Sequence, residues 1–202
     1  LIGRYTQTDQ QINRDKHINK VKSSVTHLTG ILNDFLSMNK LEEGKVTTNL
    51  EQFNALELFN EVIEELKTIL KNNQQIQCYY NVTSEMVYTD SKIFKNILIN
   101  LISNAIKYSG EEDTIHCTLS TDPDNITFIV KDEGIGIPED EQKHLFDRFF
   151  RASNATNIEG TGLGLNIVHK YIEMLGGTIT FQSKLYSGTI FNATIPNPKL
   201  SH

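Results

Sequence analysis

The stretch Asn100-Leu101-Ile102-Ser103-Asn104-Ala105-Ile106-Lys107-Tyr108 decides how the rest of the chain is read. It closes a run over 91–108 whose apolar positions follow a helical period. Asn100, Asn104, Lys107 and Tyr108 stand at helical spacing, so their side chains converge on one face. Amide oxygens ligate a hard cation such as Mg²⁺, and a lysine ammonium meets phosphate. Taken alone, the stretch reads equally well as a helix that spends its amides on core hydrogen bonds.

Outward from this helix the chain alternates between strand and helix patterns. Upstream, 46–53 reads as a strand and 54–72 as an amphipathic helix carried by Leu56, Phe59, Val62, Ile63, Leu66, Ile69 and Leu70. Strands follow at 75–82 and 86–88. Downstream, β-rich runs at 113–121 and 125–132 flank Asp122-Pro123-Asp124-Asn125, a turn sequence. Pro138 before Glu139, Asp140 and Glu141 opens a short helix. Residues 152–160 are polar and unpatterned, and a helix at 163–175 and strands at 178–183 and 189–195 complete the chain. The expected fold is a two-layer α/β sandwich, a mixed β-sheet with three helices on one face, preceded by a long coiled-coil-like helix.

Three further clusters carry chemistry. In Asp132-Glu133-Gly134-Ile135-Gly136-Ile137-Pro138, a carboxylate ends a β run and two glycines let backbone approach a flat ligand without a Cβ in the way. A surface turn has the same composition. Gly160-Thr161-Gly162-Leu163-Gly164-Leu165 lies where a polar loop enters a helix, and N–H groups at such a junction suit phosphate oxygens. It follows no strand and lacks the GK[ST] of a P-loop, so neither common glycine fingerprint fits. Phe146-Asp147-Arg148-Phe149-Phe150-Arg151 precedes that loop. Its aromatics pin the loop base, and Arg148 or Arg151 is placed to reach a terminal phosphate. Gly188-Thr189 adds a late glycine turn.

Composition sets the bounds. With 202 residues, 38% hydrophobic and 22% charged, the chain makes one ordinary globular domain and a small appendage. A formal net charge of -6 without a Lys/Arg cluster argues against nucleic acid as a partner. No run approaches the ~18 apolar residues of a membrane span. Cys78 and Cys117 read as buried free thiols of a reducing, cytoplasmic compartment.

The first forty-five residues follow another pattern. Residues 1–14 read as the tail of one helix and a polar loop, with Asp15 as the N-cap of a long second helix. Ile18, Val21, Val25, Leu28, Leu32 and Phe35 alternate steps of three and four, a heptad seam widened by Ile31 and Leu36. Gly44 closes it as a C-cap. The seam needs a partner helix, from a second copy of the chain or from preceding sequence. The start at Leu1 without Met suggests a piece of a larger protein, divided at 1–45 and 46–202.

Together these motifs resemble the ATP-binding catalytic domain of sensor histidine kinases, of the Bergerat fold shared with gyrase and the mismatch-repair ATPases. The resemblance covers about residues 46 to 196 and includes the N-box (Asn100 to Tyr108), the first glycine box (Asp132 to Gly136), the F-box, the second glycine box (Gly160 to Leu165) and a shortened last one at Gly188-Thr189, in the family's order. It implies ATP and Mg²⁺ as ligands, with Asn104 as metal ligand and Asn100 close by. Lys107 would face phosphate, Tyr108 would lie against the nucleotide and Asp132 would read adenine. Gly134, Gly136, Ile137, Gly160, Thr161, Gly162, Leu163, Gly164, Leu165 and Thr189 would line the pocket, with 152–160 as a mobile lid. Partners implied are a second copy of the kinase and a response regulator. The helix ending Lys40-Leu41-Glu42-Glu43-Gly44 looks like the second helix of the family's dimerisation and phosphotransfer hairpin.

Two departures bear on mechanism. The family phosphorylates a histidine in a box of the form His-Glu/Asp-x-x-Thr/Asn-Pro, and no such sequence occurs here; neither His17 nor His27 has the following acid. The implied activity is therefore phosphotransfer to a histidine outside these residues. The alternative is a catalytically silent ATP-binding module. ATP-hydrolysing members of the fold carry a Glu four residues before the metal-binding Asn to activate water. That position is Asn100, and an amide takes no proton near neutral pH.

Overall fold

The computed structural model describes residues 11–198, divided between two units, Leu1–Lys45 and Val46–His202. Any reading of residues 1–10 lies outside the described residues, as do the side chains of His27 and Ile31.

The first unit is one helix, α1 (Gln11–Glu42). Asp15 is not its N-cap. It lies one turn inside, where its carboxylate accepts from Gln11 Nε2 at 2.8 Å, an i,i+4 pair within continuous helix. Residues 11–14 contain no Gly or Pro to break the turn, so they are helical and not loop. The end is as expected. Gly44 takes φ +63, Lys45 N–H bonds Lys40 O at 2.9 Å and Gly44 N–H bonds Leu41 O at 3.2 Å, a left-handed cap that satisfies the last carbonyls. Val21, Val25, Leu28, Leu32, Phe35 and Leu36 are all exposed.

In the second unit a separate two-stranded sheet pairs β1 (Glu51–Asn54) with β3 (Met86–Thr89) antiparallel. The main sheet has five strands in the order β2-β4-β5-β7-β6: β2 (Gln75–Val82), β4 (Thr114–Thr121), β5 (Asn125–Lys131), β7 (Thr189–Pro196) and β6 (Thr178–Ser183). β2 pairs parallel to β4 and every other pairing is antiparallel, so the sheet is mixed. The three helices are α2 (Ala55–Lys67), α3 (Ser91–Tyr108) and α4 (Gly164–Met174).

Strict alternation along β4, β5 and β7 puts one face in the core. Leu119, Phe128 and Ala193 lie side by side across three strands, as do Cys117, Val130 and Phe191. Phe94 of α3 meets Phe128 edge-on at 5.7 Å, and neither has any exposed surface. Burying each such ring is worth about 2–3 kcal/mol relative to exposure. Cys78 and Cys117 are free thiols opposite each other in the β2–β4 register, and burial pushes both thiol pKa values up.

Two boundaries differ from the sequence reading, and one matters for the site. The first strand occupies only Glu51–Asn54, because Asn49 N–H bonds the Asp90 carboxylate at 2.7 Å and leaves the extended segment before it outside any sheet. Helix α2 stops at Lys67 and not at 72. Thr68 Oγ1 turns back to Glu65 O at 2.7 Å, and the following residues serve the end of α3. Lys71 Nζ donates to Lys107 O at 2.8 Å and to Ser109 O, while Gln74 Nε2 donates to Ile106 O and Gly110 O, both at 3.0 Å. The orphan carbonyls of the α3 C-terminus are thus capped from outside the helix.

Candidate nucleotide-binding site

Helix α3 is anchored before it presents any chemistry. Asp90 caps it, accepting from Lys92 N–H at 3.0 Å and Ile93 N–H at 2.9 Å, and Ile97, Leu98, Leu101 and Ile102 are buried along its core face. The opposite face is left for Asn100, Asn104, Lys107 and Tyr108, all half-buried. Asn100 Nδ2 donates to Asn96 O at 2.9 Å, which turns Oδ1 outward to Gly164. A Cβ on Gly164 would stand 2.8 Å from Asn100 Oδ1 and 3.9 Å from Asn104 Nδ2. The Asn104 amide makes no hydrogen bond among the described residues. Lys107 Nζ lies 4.6 Å from the centroid of the Tyr108 ring, against Gly160, where any Cβ would overlap it.

Two elements therefore meet. Gly164 is the first residue of α4, and Leu163 before it provides no side-chain cap. Helix α4 thus begins with N–H groups unsatisfied by any capping side chain, beside two amides and an ammonium, an arrangement that favours anionic oxygens. Thr161 Oγ1 accepts from Leu163 N–H at 3.1 Å and shapes the entry. Gly162 packs on the F-box backbone, its Cβ position 2.6 Å from Phe149 C. Leu163 is buried, and Leu165 is half-buried.

The first glycine box forms the other wall. Asp132 is buried, and its Oδ1 accepts from Gly134 N–H at 2.9 Å and Thr189 N–H at 3.1 Å. Burial raises its carboxyl pKa to about 6 against the pull of those two donors. Gly134 lies where a Cβ would overlap Tyr108 O, and Ile135 N–H bonds that oxygen at 3.2 Å. Gly136 sits equally tight on the Lys184 backbone, and Gly188, at φ +88, on the Asp132 carbonyl. Ser183 ties the region together, accepting from Ile137 N–H at 2.9 Å and lying 2.8 Å from Thr189 Oγ1. A cleft of about 600 Å³ opens between Lys71, Lys107, Tyr108, Gly134, Ile158 and Tyr186. Asp132 and Asn104 do not form its surface; Asp132 lies behind Gly134.

The F-box arginines are placed differently from one another. Arg148 is exposed. Arg151 turns into the following loop, with Nη2 donating to Ala155 O at 2.8 Å, Thr156 O at 3.2 Å and Ile158 O. A role at a terminal phosphate would require it to release those carbonyls. The loop itself is partly built. It contains a short 3₁₀ turn, Ser153–Ala155; Ser153 N–H bonds Glu141 Oε2 at 2.9 Å, and Asn154 Nδ2 bonds Gly136 O at 2.9 Å. Side-chain anchors of this kind, invisible in a polar stretch of sequence, replace the structureless segment expected over 152–160.

A family profile described as "Histidine kinase-, DNA gyrase B-, and HSP90-like ATPase" matches residues 89–199, which hold every element of this site but Lys71. The chain belongs to this ATPase family. Among similar curated proteins, the circadian input-output histidine kinase CikA of Synechococcus elongatus is 30% identical over 190 residues, 92% of this chain and 25% of that protein. Sensor protein RprX of Bacteroides fragilis is 29% identical over 92% of this chain and 39% of its own length. The Acinetobacter baumannii histidine kinase AdeS has a structure superposing with TM-score 0.71 at 26% identity, covering 90% of this chain and 84% of that one. The catalytic domain of histidine kinase ThkA superposes with TM-score 0.60 at 31% identity, over 74% of this chain and 96% of that one. The chain thus spans about a quarter to two fifths of the length of the curated relatives named. It is an ATP-binding domain of the sensor histidine kinase type.

Within this ATPase domain, sequence reasoning missed Lys71, Asn154, Ser183 and Tyr186. None lies in a recognisable motif, and each acts through a hydrogen bond to distant backbone. Among the described residues no group of three or more His, Cys, Asp or Glu side chains converges, and no helix is long and apolar enough to cross a membrane.

Proposed function

We propose that this chain is the Mg-ATP-binding catalytic portion of a two-component sensor histidine kinase. It transfers the γ-phosphoryl of ATP to a histidine outside these residues, for relay to a response-regulator aspartate. The observation that carries the reading is the meeting of Asn100 Oδ1, Asn104 and Lys107 with the uncapped start of α4 across Gly160 and Gly164. Every group there is an N–H donor, an ammonium or an amide oxygen, the set that holds a triphosphate and a hard cation.

The site fits Mg²⁺ through its amides. Among the described residues the Asn104 amide has no competing hydrogen bond, and the Asn100 oxygen is aimed outward by the bond of its own Nδ2 to Asn96. When bound, the ion would neutralise charge on the β- and γ-phosphates. The protein's own groups do the rest. Lys107 and the α4 N–H groups hold phosphate oxygens, Tyr108 lies against the nucleotide, and Asp132 accepts from the exocyclic amine of adenine through its carboxylate. The remaining glycine-box residues, Gly134, Gly136, Ile137, Thr161, Gly162, Leu163, Leu165 and Thr189, give the walls their shape. Transfer forms the N–P bond to an acceptor imidazole as the bond from Pγ to the ADP oxygen breaks, with an acid beside that histidine taking its proton.

Residues 1–45 are the end of a dimerisation and phosphotransfer hairpin in this reading, supported by the exposed seam from Val21 to Leu36, and the partner is a second copy of the kinase. With no acceptor box of its own, the chain alone binds ATP without labelling itself. Asn100 in place of a water-activating acid keeps hydrolysis slow.

The test is incubation of the longer protein that carries the acceptor helix with γ-labelled ATP. Acid-labile, base-stable label that disappears in Asn104→Ala supports the kinase. ATP bound without any label would establish the silent ATP-binding module instead.

A further inference from the structure

Three polar side chains stand in one row at the end of the apolar core. On β7, Phe191 is paired with Val130 of β5 and with Phe181 of β6. Residues two apart along a strand share a face, so the next row on that face is Asp132, Thr189 and Ser183. Asp132 N–H bonds Thr189 O at 2.9 Å, and Ser183 is directly opposite Thr189. An apolar row thus gives way to a carboxylate and two hydroxyls, with Asp132 and Thr189 both buried.

The Ser183 hydroxyl meets three partners. It accepts from Ile137 N–H at 2.9 Å, donates to Gly188 O at 3.1 Å and lies 2.8 Å from Thr189 Oγ1. A serine hydroxyl has one proton and two lone pairs. The proton goes to the Gly188 carbonyl, which can only accept, and one lone pair goes to Ile137. The contact with Thr189 is then a bond only if Thr189 gives its own proton to the second lone pair. That leaves Thr189 Oγ1 an acceptor, with no proton to offer a ligand. Beside it, Asp132 Oδ1 takes the Gly134 and Thr189 N–H groups, while Oδ2 makes no bond among the described residues.

We infer that Ser183 is a positioning residue for base recognition. By holding the Thr189 proton it sets two acceptors side by side, the Thr189 hydroxyl and the Asp132 carboxylate, which select a base edge bearing an amine over one bearing a carbonyl. This rests on the Mg-ATP reading above, in which Asp132 accepts from adenine. A carbonyl oxygen brought to the same place meets lone pairs and finds no donor, and an unpaired buried polar group is the costly case. Removing the serine hydroxyl frees the Thr189 proton to turn to such a carbonyl.

The experiment is calorimetric titration of the whole chain, Ser183→Ala, Ser183→Thr and Thr189→Val with ADP and with inosine diphosphate, beside thermal melts. Inosine diphosphate has a carbonyl where adenine has its amine. The parent should prefer ADP by about tenfold or more, the effect of one hydrogen bond gained or lost in a buried site. Ser183→Ala should cut that preference about tenfold, and Ser183→Thr, which keeps the hydroxyl, should retain it. In Thr189→Val, ADP should bind more weakly and inosine diphosphate no more weakly, a contrast that tests the inference even where Ser183→Ala does not fold. An unchanged preference in folded Ser183→Ala, whether both ligands weaken equally or neither does, overturns the inference and leaves the ATP site standing. Equal loss of both ligands in Thr189→Val, or a parent that binds both alike, overturns it as well. Failure of the folded parent to bind ADP overturns the site reading and this inference with it.

Discussion

Gly164 and Asn100 are so close that a Cβ on the glycine would stand 2.8 Å from the asparagine Oδ1. This is the point where the amide face of α3 meets the start of α4, and it converts two sequence motifs into one pocket. The obstructed atom is the tip of a movable side chain, so the fold tolerates the contact while the site does not. Gly164→Ala should therefore leave stability unchanged or raise it by up to about 1 kcal/mol, from the helix propensity gained. It should weaken Mg-ATP binding by about tenfold or more, measured by calorimetry beside a thermal melt.

Asp132 makes stability and function oppose each other. Its folded pKa, raised to about 6 by burial, lies above its unfolded value, so the folded state binds the proton more tightly. That contribution is fully present below about pH 4 and is lost as pH rises through about 6. Asp132→Asn keeps an oxygen for Gly134 and Thr189 without the buried charge. It should be more stable than the parent above pH 7, by at most on the order of 3 kcal/mol, and should lose most adenine affinity. In the parent, ATP affinity should fall as pH drops below about 6, when the carboxylate that accepts from adenine protonates. Urea unfolding and ATP titrations at pH 5 and 8 check both signs.

Gly188 is a matter of folding. At φ +88, with the Asp132 carbonyl where a Cβ would sit, it has no room to yield, because the obstruction is backbone. Gly188→Ala should cost more than about 3 kcal/mol in urea unfolding, in contrast to Gly164→Ala.

Arg151 holds the loop over Ala155, Thr156 and Ile158 through one terminal nitrogen. Charged hydrogen bonds of this kind contribute about 1.5–3 kcal/mol. Arg151→Ala should raise amide exchange across 155–160 by at least about tenfold while leaving exchange in β4 and β5 unchanged. A loop that exchanges no faster in the variant would show that the arginine does not anchor it.

The sandwich was legible because its determinants are local. Alternation in β4, β5 and β7 and the apolar stripes of α2, α3 and α4 announce their elements, and Asp132 and the glycines stand in recognisable order. The errors lie where side chains act over distance. One error is local instead: Asp15 has the side chain of an N-cap, but the helix is already under way at Gln11. The end of α2 yields to Lys71 and Gln74 reaching 32 to 38 residues along the chain, and the loop after the F-box is fixed by Asn154 on Gly136. Ser183 was hidden for a similar reason: its bonds to Ile137, Gly188 and Thr189 leave no mark in sequence.

Calorimetric titration of the chain with a non-hydrolysable ATP analogue and Mg²⁺ asks whether Asn104 and its neighbours form a Mg-ATP site. Binding by the parent should be saturable, and at least about tenfold weaker without Mg²⁺ or in Asn104→Ala. A folded parent that binds no analogue, or a variant that binds as tightly as the parent, would contradict the Mg-ATP site.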